Sequence, residues 1–135
     1  MPGDPEDFSG NGETVLIAED EAGVREVARR ILAANGYKVL VASGAEEALA
    51  LAAGHRGKVD VALTDLAMPR MSGVELAGRL RKLKPGLKVV YMSGYAAFVL
   101  DRQGTIDAPL LEKPFKANDL LLRVREACDG PRQQP

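Results

Sequence analysis

The 135-residue sequence contains one cysteine, Cys128, no tryptophan, and only three phenylalanines and three tyrosines. A single cysteine cannot form a disulfide within the chain, so a scaffold held together by disulfides is excluded. Few aromatic residues and a formal net charge of −1 give no basic, base-stacking surface of the kind that binds nucleic acid. Any chemistry must therefore come from a few polar residues at fixed positions.

Long apolar runs are also missing. The longest, at 48–53 and 95–100, are six residues each, whereas a membrane-spanning helix needs about 20. The first twelve residues, MPGDPEDFSGNG, have neither a basic flank nor an apolar core, so they do not form a secretory signal. We therefore expect a cytoplasmic protein that contacts neither nucleic acid nor a membrane directly.

Proline, glycine and acidic residues dominate the start of the chain, and Asp129-Gly130-Pro131 interrupts the last helical pattern. Both features are typical of chain ends outside a folded core. The length between them fits one domain, and 46% apolar residues suffice for a hydrophobic core. The sequence predicts a disordered tail or linker at 1–12, one domain at 13–130 and a disordered tail at 131–135.

Short β-branched runs alternate with helical patterns along the domain. The predicted strands are 14–18, 37–42, 59–64, 87–92 and 110–112. The predicted helices are 24–32, 45–53, 74–83, 96–103 and 117–128, the first with an apolar face of Val24, Val27, Ala28, Ile31 and Leu32. Strict alternation of this kind predicts an α/β fold. We expect a doubly wound parallel five-stranded sheet with the flavodoxin-like order 2-1-3-4-5 and helices on both faces.

Polar side chains follow the predicted strands at the edge where parallel strands end together. They are Glu19, Asp20 and Glu21 after the first strand, Asp65 after the third, Ser93 after the fourth and Lys113 after the fifth. If the first and third strands are neighbours, three carboxylates crowd together: Glu19, Asp20 and Asp65. Two carboxylates about 4 Å apart repel by roughly 4 kcal/mol at an effective dielectric of about 20, so the cluster requires a cation or shifted pKa values. Hard oxygen ligands favour Mg²⁺, with Mn²⁺ as the alternative.

A carboxylate beside such a cation can act as a nucleophile towards phosphorus and form an aspartyl phosphate. Phosphoryl transfer asks the protein mainly for positioning and for neutralisation of charge on the phosphoryl oxygens. An ammonium group and a small hydroxyl donor serve this purpose. Lys113 and Ser93 fit these two roles.

Four separated motifs stand in order along the chain: Glu19-Asp20 after an apolar strand, the run DLAMPRMSG at 65–73, Ser93, and Lys113-Pro114-Phe115. Together they resemble the receiver domain of two-component response regulators, over about residues 13–128. The strings VYMSGYA at 90–96 and LEKPF at 111–115 look most like receivers at the C-terminus of hybrid histidine kinases. Residues 1–12 would then be the remnant of a linker.

The resemblance implies a role for each residue that matches the family motifs. Asp65 accepts the phosphoryl group, the Ser93 hydroxyl turns towards it, and Lys113 forms an ion pair with it. The family also implies a cis peptide bond before Pro114.

The same resemblance implies a magnesium site. Asp20 is its direct ligand, together with the phosphoacceptor Asp65, and Glu19 acts more through water. The backbone carbonyl of Ala67 is a further ligand.

The function implied is that of a phosphoacceptor in a two-component phosphorelay. The domain takes a phosphoryl group from a phosphohistidine of a histidine kinase or a histidine phosphotransfer protein and switches its interactions with partners. It is no enzyme in the ordinary sense, since it catalyses only its own phosphorylation and dephosphorylation; a hybrid parent chain would be a histidine kinase. The face of the fourth helix, fifth strand and fifth helix, flanked by Tyr95 and Phe115, allows a weak homodimer. Leu110 stands where the family usually has its switch aromatic.

Three other classes of protein remain open. A haloacid-dehalogenase-like hydrolase also forms an aspartyl phosphate, but it needs an acid where Ala67 stands. A flavodoxin-type nucleotide binder needs a phosphate loop after the first strand, where Glu19, Asp20 and Glu21 would repel a phosphate. A receiver-shaped interaction module without phosphorylation would not need Asp65 and the acidic pair together with a lysine.

Simpler structural roles also remain open. Asp65 or Ser93 would serve equally as the N-cap of a turn or helix, and acids after a strand favour a helix N-terminus. A lysine such as Lys113, taken alone, is typical of a protein surface. His55, in a Gly-His-Arg-Gly loop away from the strand ends, is interpreted as a surface residue, and Cys128 as a packing residue.

Overall fold

The computed structural model describes residues 8–94 and 108–129. A parallel five-stranded sheet has the order β2-β1-β3-β4-β5. The strands are β1 (Thr14–Ala18), β2 (Lys38–Ala42), β3 (Val61–Asp65), β4 (Lys88–Ser93) and β5 (Leu110–Glu112). The helices of the described residues are α1 (Ala22–Ala34), α2 (Ala45–Gly54), α3 (Gly73–Leu83) and α4 (Ala117–Asp129). The strand order and the parallel pairing confirm the predicted doubly wound fold.

The last helix, α4, is the fifth of the predicted series, because the helix predicted at 96–103 lies outside the described residues. No helix within 8–94 or 108–129 has the length and the apolar character needed to span a membrane. The predicted helix ends agree with the observed ones to within about two residues, which is the usual uncertainty of helix boundaries.

Two apolar cores lie on the two faces of the sheet. Along β1, Leu16 faces α2 and α3, whereas Val15 and Ile17 face α1 and α4. This alternation follows from the two-residue period of a strand, and every residue of β1 and β3 is buried. The three buried residues that α2 contributes are alanines, Ala45, Ala48 and Ala52. The sheet is thus fixed from both sides, which holds its C-terminal edge in place.

Some details of the predicted elements were wrong. Asp65 and Ser93 are the last residues of β3 and β4, not the first residues after these strands. Val27 was assigned to the apolar face of α1, yet it is 50% exposed, while Ala28 and Leu32 are buried. The apolar stripe of a helix is about 100° wide. Here it is centred on Ala28 and Leu32, and Val27 lies outside it.

Residues 8–13, which we call the N-terminal strap, lie against the turn between α1 and β2. Phe8 packs against the core on the α1 face, and its carbonyl oxygen accepts a hydrogen bond of 2.9 Å from the Tyr37 hydroxyl. Gly10 N–H donates to the Asn35 carbonyl at 2.6 Å. These contacts extend the packed part of the chain to Phe8, N-terminal to the domain boundary predicted at residue 13.

Arg125 of α4 holds the other side of the strap. Its guanidinium donates to Glu13 Oε2 at 2.7 Å, to the Ser9 carbonyl at 3.0 Å and lies 3.0 Å from Asp129 Oδ1. Burial, the largest single cause, would raise the pKa of Glu13, but the hydrogen bond and charge of Arg125 together with main-chain hydrogen bonds outweigh it and lower the pKa below the ordinary value. The strap therefore connects the first strand to the last helix through a charged, partly buried pair.

Close approach of the strap requires glycine at position 36. Gly36 has φ +92°, and a Cβ there would lie 2.5 Å from the Gly10 carbonyl oxygen. We expect Gly36→Ala to destabilise the protein by about 3 kcal/mol, from the left-handed backbone and the collision together. Gly86 has the similar φ of +94° but no heavy atom within 4 Å of a Cβ, so Gly86→Ala should cost only about 1 kcal/mol. If urea unfolding gave both variants the same loss of free energy of unfolding, the strap would be able to move away from the added Cβ without cost.

Candidate functional site

The polar residues at the strand ends meet at one edge of the sheet. Glu19 follows β1, Asp65 ends β3, Ser93 ends β4 and Lys113 follows β5. One carboxylate oxygen each of Glu19, Asp20 and Asp65 lies within 4.8 Å of the other two. The structure therefore brings together the three acids that the sequence analysis singled out.

The three acids differ in their exposure to solvent. The Glu19 side chain is 0% exposed and that of Asp65 is 7% exposed, whereas Asp20 lies at the surface. Burial raises the pKa of Glu19 to about 7, and the charge of Asp65 adds to the rise, although hydrogen bonds from Glu21 N–H and Lys113 oppose it. At neutral pH this carboxylate is only partly ionised, because burial disfavours its charged form more than the hydrogen bonds favour it.

Lys113 supplies the positive charge of the pocket. Its Nζ donates to Glu19 Oε1 at 2.9 Å, to Asp65 Oδ2 at 3.0 Å and to Glu21 Oε1 at 3.3 Å. Burial acts to lower the pKa of Lys113, but the hydrogen bonds to Glu19 and Asp65 raise it above the ordinary value. Lys113 is therefore an ammonium ion at neutral pH. The contact with Glu21 was not predicted, because only the folded β5 brings the lysine to it.

The backbone fixes the position of Lys113. Its N–H donates to the Ser93 carbonyl at 2.8 Å, and its peptide bond to Pro114 is cis, as the family resemblance implied. Ser93 is 2% exposed and pairs with Glu112 of β5. The role of the Ser93 hydroxyl stays a prediction. The alternative in which Ser93 caps a helix concerns residues 95–107, which lie outside the described part of the chain.

The loop after β3 holds the carboxylate of Asp65. Asp65 Oδ1 accepts a hydrogen bond of 3.2 Å from Ala67 N–H, while Oδ2 faces Lys113. Leu66 N–H donates to the Met92 carbonyl at 2.9 Å and Gly73 N–H donates to the Leu66 carbonyl at 2.8 Å, which closes the loop. No carboxylate stands at residue 67, where a haloacid-dehalogenase-like hydrolase would need one.

Gly73 lies directly behind the main chain of Asp65. A Cβ at this position would collide with the Asp65 carbonyl oxygen and would lie 3.0 Å from the Asp65 carbonyl carbon and from Leu66 Cα. Ser72 caps the same helix, since its side chain accepts a hydrogen bond of 3.1 Å from Glu75 N–H. The Ser-Gly at the end of the DLAMPRMSG run thus begins α3 and lets it approach the acidic pocket.

The other residues named from the sequence lie away from the pocket. His55 follows α2, and its carbonyl accepts a hydrogen bond of 2.6 Å from Lys84 Nζ. Cys128 packs against the core on the α1 face, and burial raises the pKa of its thiol to about 12. A neutral thiol of this kind is a poor nucleophile and a poor metal ligand.

Leu110, at the position of the usual switch aromatic, pairs with Tyr91 of β4. Tyr91 is fully buried, and Leu110 packs against the same core. Phe115 is half-buried against the opposite core. Tyr95 lies outside the described residues. The strand neighbour of the switch position is therefore itself an aromatic core residue on β4.

The donor set fits a hard divalent cation such as Mg²⁺. Three carboxylate oxygens converge, and one of them belongs to Glu19, a buried side chain with a raised pKa. A small number of oxygen ligands from the protein suits Mg²⁺, which keeps several of its water ligands when bound. The same three acids would repel the phosphates of a flavin or a nucleotide. The geometry therefore supports a cation site beside a buried aspartate.

Comparison with known proteins agrees with this geometry. A family model described as "Response regulator receiver domain" matches residues 15–125. The sensor kinase CckA of Brucella abortus (strain 2308) is 39% identical over 125 residues, which cover 91% of this chain and 13% of the kinase. The response regulator MprA of Mycobacterium sp. (strain KMS) is 36% identical over 114 residues, covering 82% of this chain and 48% of MprA. The crystal structure of the receiver domain from hybrid histidine kinase CckA has a TM-score of 0.73 and 31% identity, covering 85% of this chain and 98% of that one.

The chain spans only part of these two relatives, 13% of one and 48% of the other. The match to the family model covers most of the chain and includes β1, β3, β4 and β5, the strands that carry the acidic pocket and its lysine. The chain belongs to the response regulator receiver domains of two-component systems and is similar to those of hybrid histidine kinases.

Proposed function

We propose that this domain accepts a phosphoryl group on Asp65 from a phosphohistidine of a histidine kinase or a histidine phosphotransfer protein. The observation that carries the proposal is the position of Asp65. Its buried carboxylate lies 3.0 Å from the Lys113 ammonium and belongs to a cluster of three acids suited to Mg²⁺. A structural capping role would need neither the ammonium nor the other acids.

The proposed reaction transfers one phosphoryl group. An Asp65 carboxylate oxygen attacks phosphorus, the bond from phosphorus to the histidine nitrogen breaks, and the imidazole leaves with the electron pair and takes up a proton. Lys113 neutralises charge at Asp65 Oδ2, and the Ser93 hydroxyl at the end of β4 serves as a further donor. Attack of water on phosphorus later releases inorganic phosphate and restores Asp65.

The metal site of the proposal consists of Glu19, Asp20, Asp65 and the backbone carbonyl of Ala67. Mg²⁺ bound there, or Mn²⁺, would neutralise the charge of the phosphoryl oxygens. Glu19 contributes a buried carboxylate with a raised pKa, so a cation at this place relieves an unfavourable charge. Asp20 is exposed and open to a ligand from solution.

The wider function follows from the family and remains part of the proposal. The domain would turn over no free substrate and would catalyse only its own phosphorylation and dephosphorylation. Similarity to a CckA sensor kinase and to a CckA receiver domain supports a place in a hybrid histidine kinase. A location in the cytoplasm is part of the same proposal. The proposed site of a weak homodimer is the face of β5, α4 and the helix predicted at 96–103, which lies outside the described residues. No direct contact with nucleic acid or a membrane is part of this function.

The phosphoacceptor is tested by measuring the intact mass after incubation with acetyl phosphate and Mg²⁺. We expect the protein to gain one phosphoryl group and Asp65→Asn to gain none, because the amide oxygen is a far weaker nucleophile than a carboxylate. Asp119→Asn, at an exposed position in the first turn of α4, is the matched control and should behave as the unchanged protein. A phosphoryl adduct of equal yield in Asp65→Asn would remove Asp65 as the acceptor.

A further inference from the structure

A groove of about 440 Å³ opens beside the acidic pocket. One wall is the turn after β2 with the start of α2, and the other is the loop from Pro69 to Met71 between β3 and α3. Asp20 lines the groove and also belongs to the cluster of three acids. A molecule that enters the groove therefore meets the acidic pocket directly.

Arg70 carries the only positive charge among the residues that line this groove, which also include Asp20, Glu46 and Glu47. Its Nη1 lies 3.3 Å from Glu46 Oε1, and the two side chains are 78% and 73% exposed. Ion pairs as exposed as this one contribute little to stability. Arg70 can therefore leave Glu46 for a stronger anionic partner at almost no cost.

The backbone of Arg70 is unusual for a residue with a side chain. Its φ is +75°, in the left-handed region, which glycine would adopt at lower free energy. The loop around it is closed by main-chain hydrogen bonds from Met71 N–H to the Pro69 carbonyl and from Gly73 N–H to the Leu66 carbonyl, both at 2.8 Å. An arginine at a position better suited to glycine points to a use for its side chain.

The charges around the pocket show what that use would be. A phosphoryl donor is an anion, and a donor that approaches through the groove passes the carboxylates that line it. Lys113 lies deep in the pocket, with a side chain only 14% exposed, and is already paired with Glu19 and Asp65. Among the residues of the groove, Arg70 alone can attract the donor at the entrance, and its planar guanidinium suits a phosphoryl group or a carboxylate.

We propose that Arg70 is a specificity-determining residue for phosphoryl transfer, which exchanges Glu46 for the anionic donor at the mouth of the pocket. This inference rests on the proposed function of Asp65. With acetyl phosphate, the bond from Asp65 to phosphorus forms, the bond from phosphorus to the acetyl oxygen breaks, and acetate leaves with the electron pair. Arg70 exchanges no proton in this step and pairs with the oxygens of the donor. More negatively charged donors should depend more on it.

The test compares rates of phosphorylation of the whole chain with Mg²⁺ and two donors, acetyl phosphate and the less negatively charged phosphoramidate. Arg70→Gln should slow phosphorylation by acetyl phosphate about threefold to tenfold, because one cation close to the donor is lost. The same variant should slow phosphorylation by phosphoramidate by a smaller factor. Arg70→Lys should keep most of the rate. Glu46→Gln should raise the rate, since it frees Arg70 and removes an opposing charge. Arg79→Gln, on α3 and paired with Glu75, removes the same charge elsewhere and should change neither rate.

The outcomes separate this inference from the proposed function. If the unchanged protein gains a phosphoryl group on Asp65 but Arg70→Gln and Arg70→Lys both keep its rates, Arg70 has no such role. An equal loss in both variants would also overturn it, because the loss would then come from the loop and not from the charge. If the unchanged protein gains no phosphoryl group from either donor, the proposed function fails first. A loss confined to Arg70→Gln, larger for acetyl phosphate and reduced at high salt, is the result expected.

Discussion

Replacement of Lys113 by methionine is expected to lower the free energy of unfolding of the metal-free protein by about 3 kcal/mol. The substitution leaves Glu19, with a fully buried side chain, and Asp65, with one only 7% exposed, without their shared ammonium partner. An uncompensated buried carboxylate is costly in a way that a surface charge is not. For a domain of this size the loss corresponds to about 10 °C in melting temperature.

Lys116→Met is the control for this variant, because Lys116 is an exposed lysine of the same loop and its removal should change the melting temperature little. Addition of Mg²⁺ should raise the melting temperature of Lys113→Met more than that of the unchanged protein. Without the lysine, its ammonium no longer competes for the carboxylates, so they bind a divalent cation more tightly. A melting temperature equal to that of Lys116→Met would show that the contacts of Lys113 with the buried acids do not stabilise the fold.

The acidic pocket was predictable from sequence because the fold makes it almost unavoidable. Alternation of strands and helices dictates a parallel sheet, and parallel strands end at one edge, so Glu19 and Asp65 must meet if β1 and β3 are neighbours. The unequal burial of the acids was not predictable. The backbone of Glu19 is fixed at the strand end, since its N–H donates to the Ala42 carbonyl of β2 at 3.1 Å and Arg25 donates to its carbonyl at 2.8 Å. Both are contacts of the folded chain.

The N-terminal strap was missed for a related reason. The composition of residues 1–12 predicts a tail or linker, since glycine, proline and acidic residues favour loops. In the structure Gly10 serves a different purpose, because a Cβ there would lie 2.6 Å from the Tyr37 ring. Glycine thus allows close packing here instead of disorder. One weak signal of close packing was present in the sequence, namely the glycines Gly10, Gly12 and Gly36. Only the folded chain shows that the segments that contain them are in contact.

The loop after Asp65 shows the limit of reading a motif. The DLAMPRMSG run predicts a phosphoacceptor through family resemblance, yet it gives no reason for the glycine at its end. The structure supplies one: α3 begins so close to β3 that its first residue touches the main chain of Asp65. The same loop carries Arg70, whose left-handed backbone a sequence pattern does not reveal. Gly73 thus matters through its backbone, and Arg70 combines an unusual backbone with an exposed guanidinium.

Gly73→Ala is therefore expected to impair both stability and phosphorylation. The three heavy atoms nearest to its Cβ all belong to the backbone of Asp65 or Leu66, so rotation of a side chain cannot relieve the collision. We expect a loss of about 3 kcal/mol in the free energy of unfolding, as for other overpacked sites. We also expect phosphorylation by acetyl phosphate to slow by about 10²-fold, because a displacement of about 1 Å at the nucleophile has an effect of that size.

Gly78 of the same helix provides the matched control. It is exposed, and a Cβ there would meet no heavy atom within 4 Å. Gly78→Ala should therefore stabilise the protein by about 0.5–1 kcal/mol, since alanine favours a helix over glycine, and should leave the rate of phosphorylation unchanged. If Gly73→Ala lost stability but kept the full rate, the loop would absorb the collision without moving Asp65. The close approach of α3 would then serve packing alone, and the position of the carboxylate would depend on Lys113 and Ala67 N–H instead.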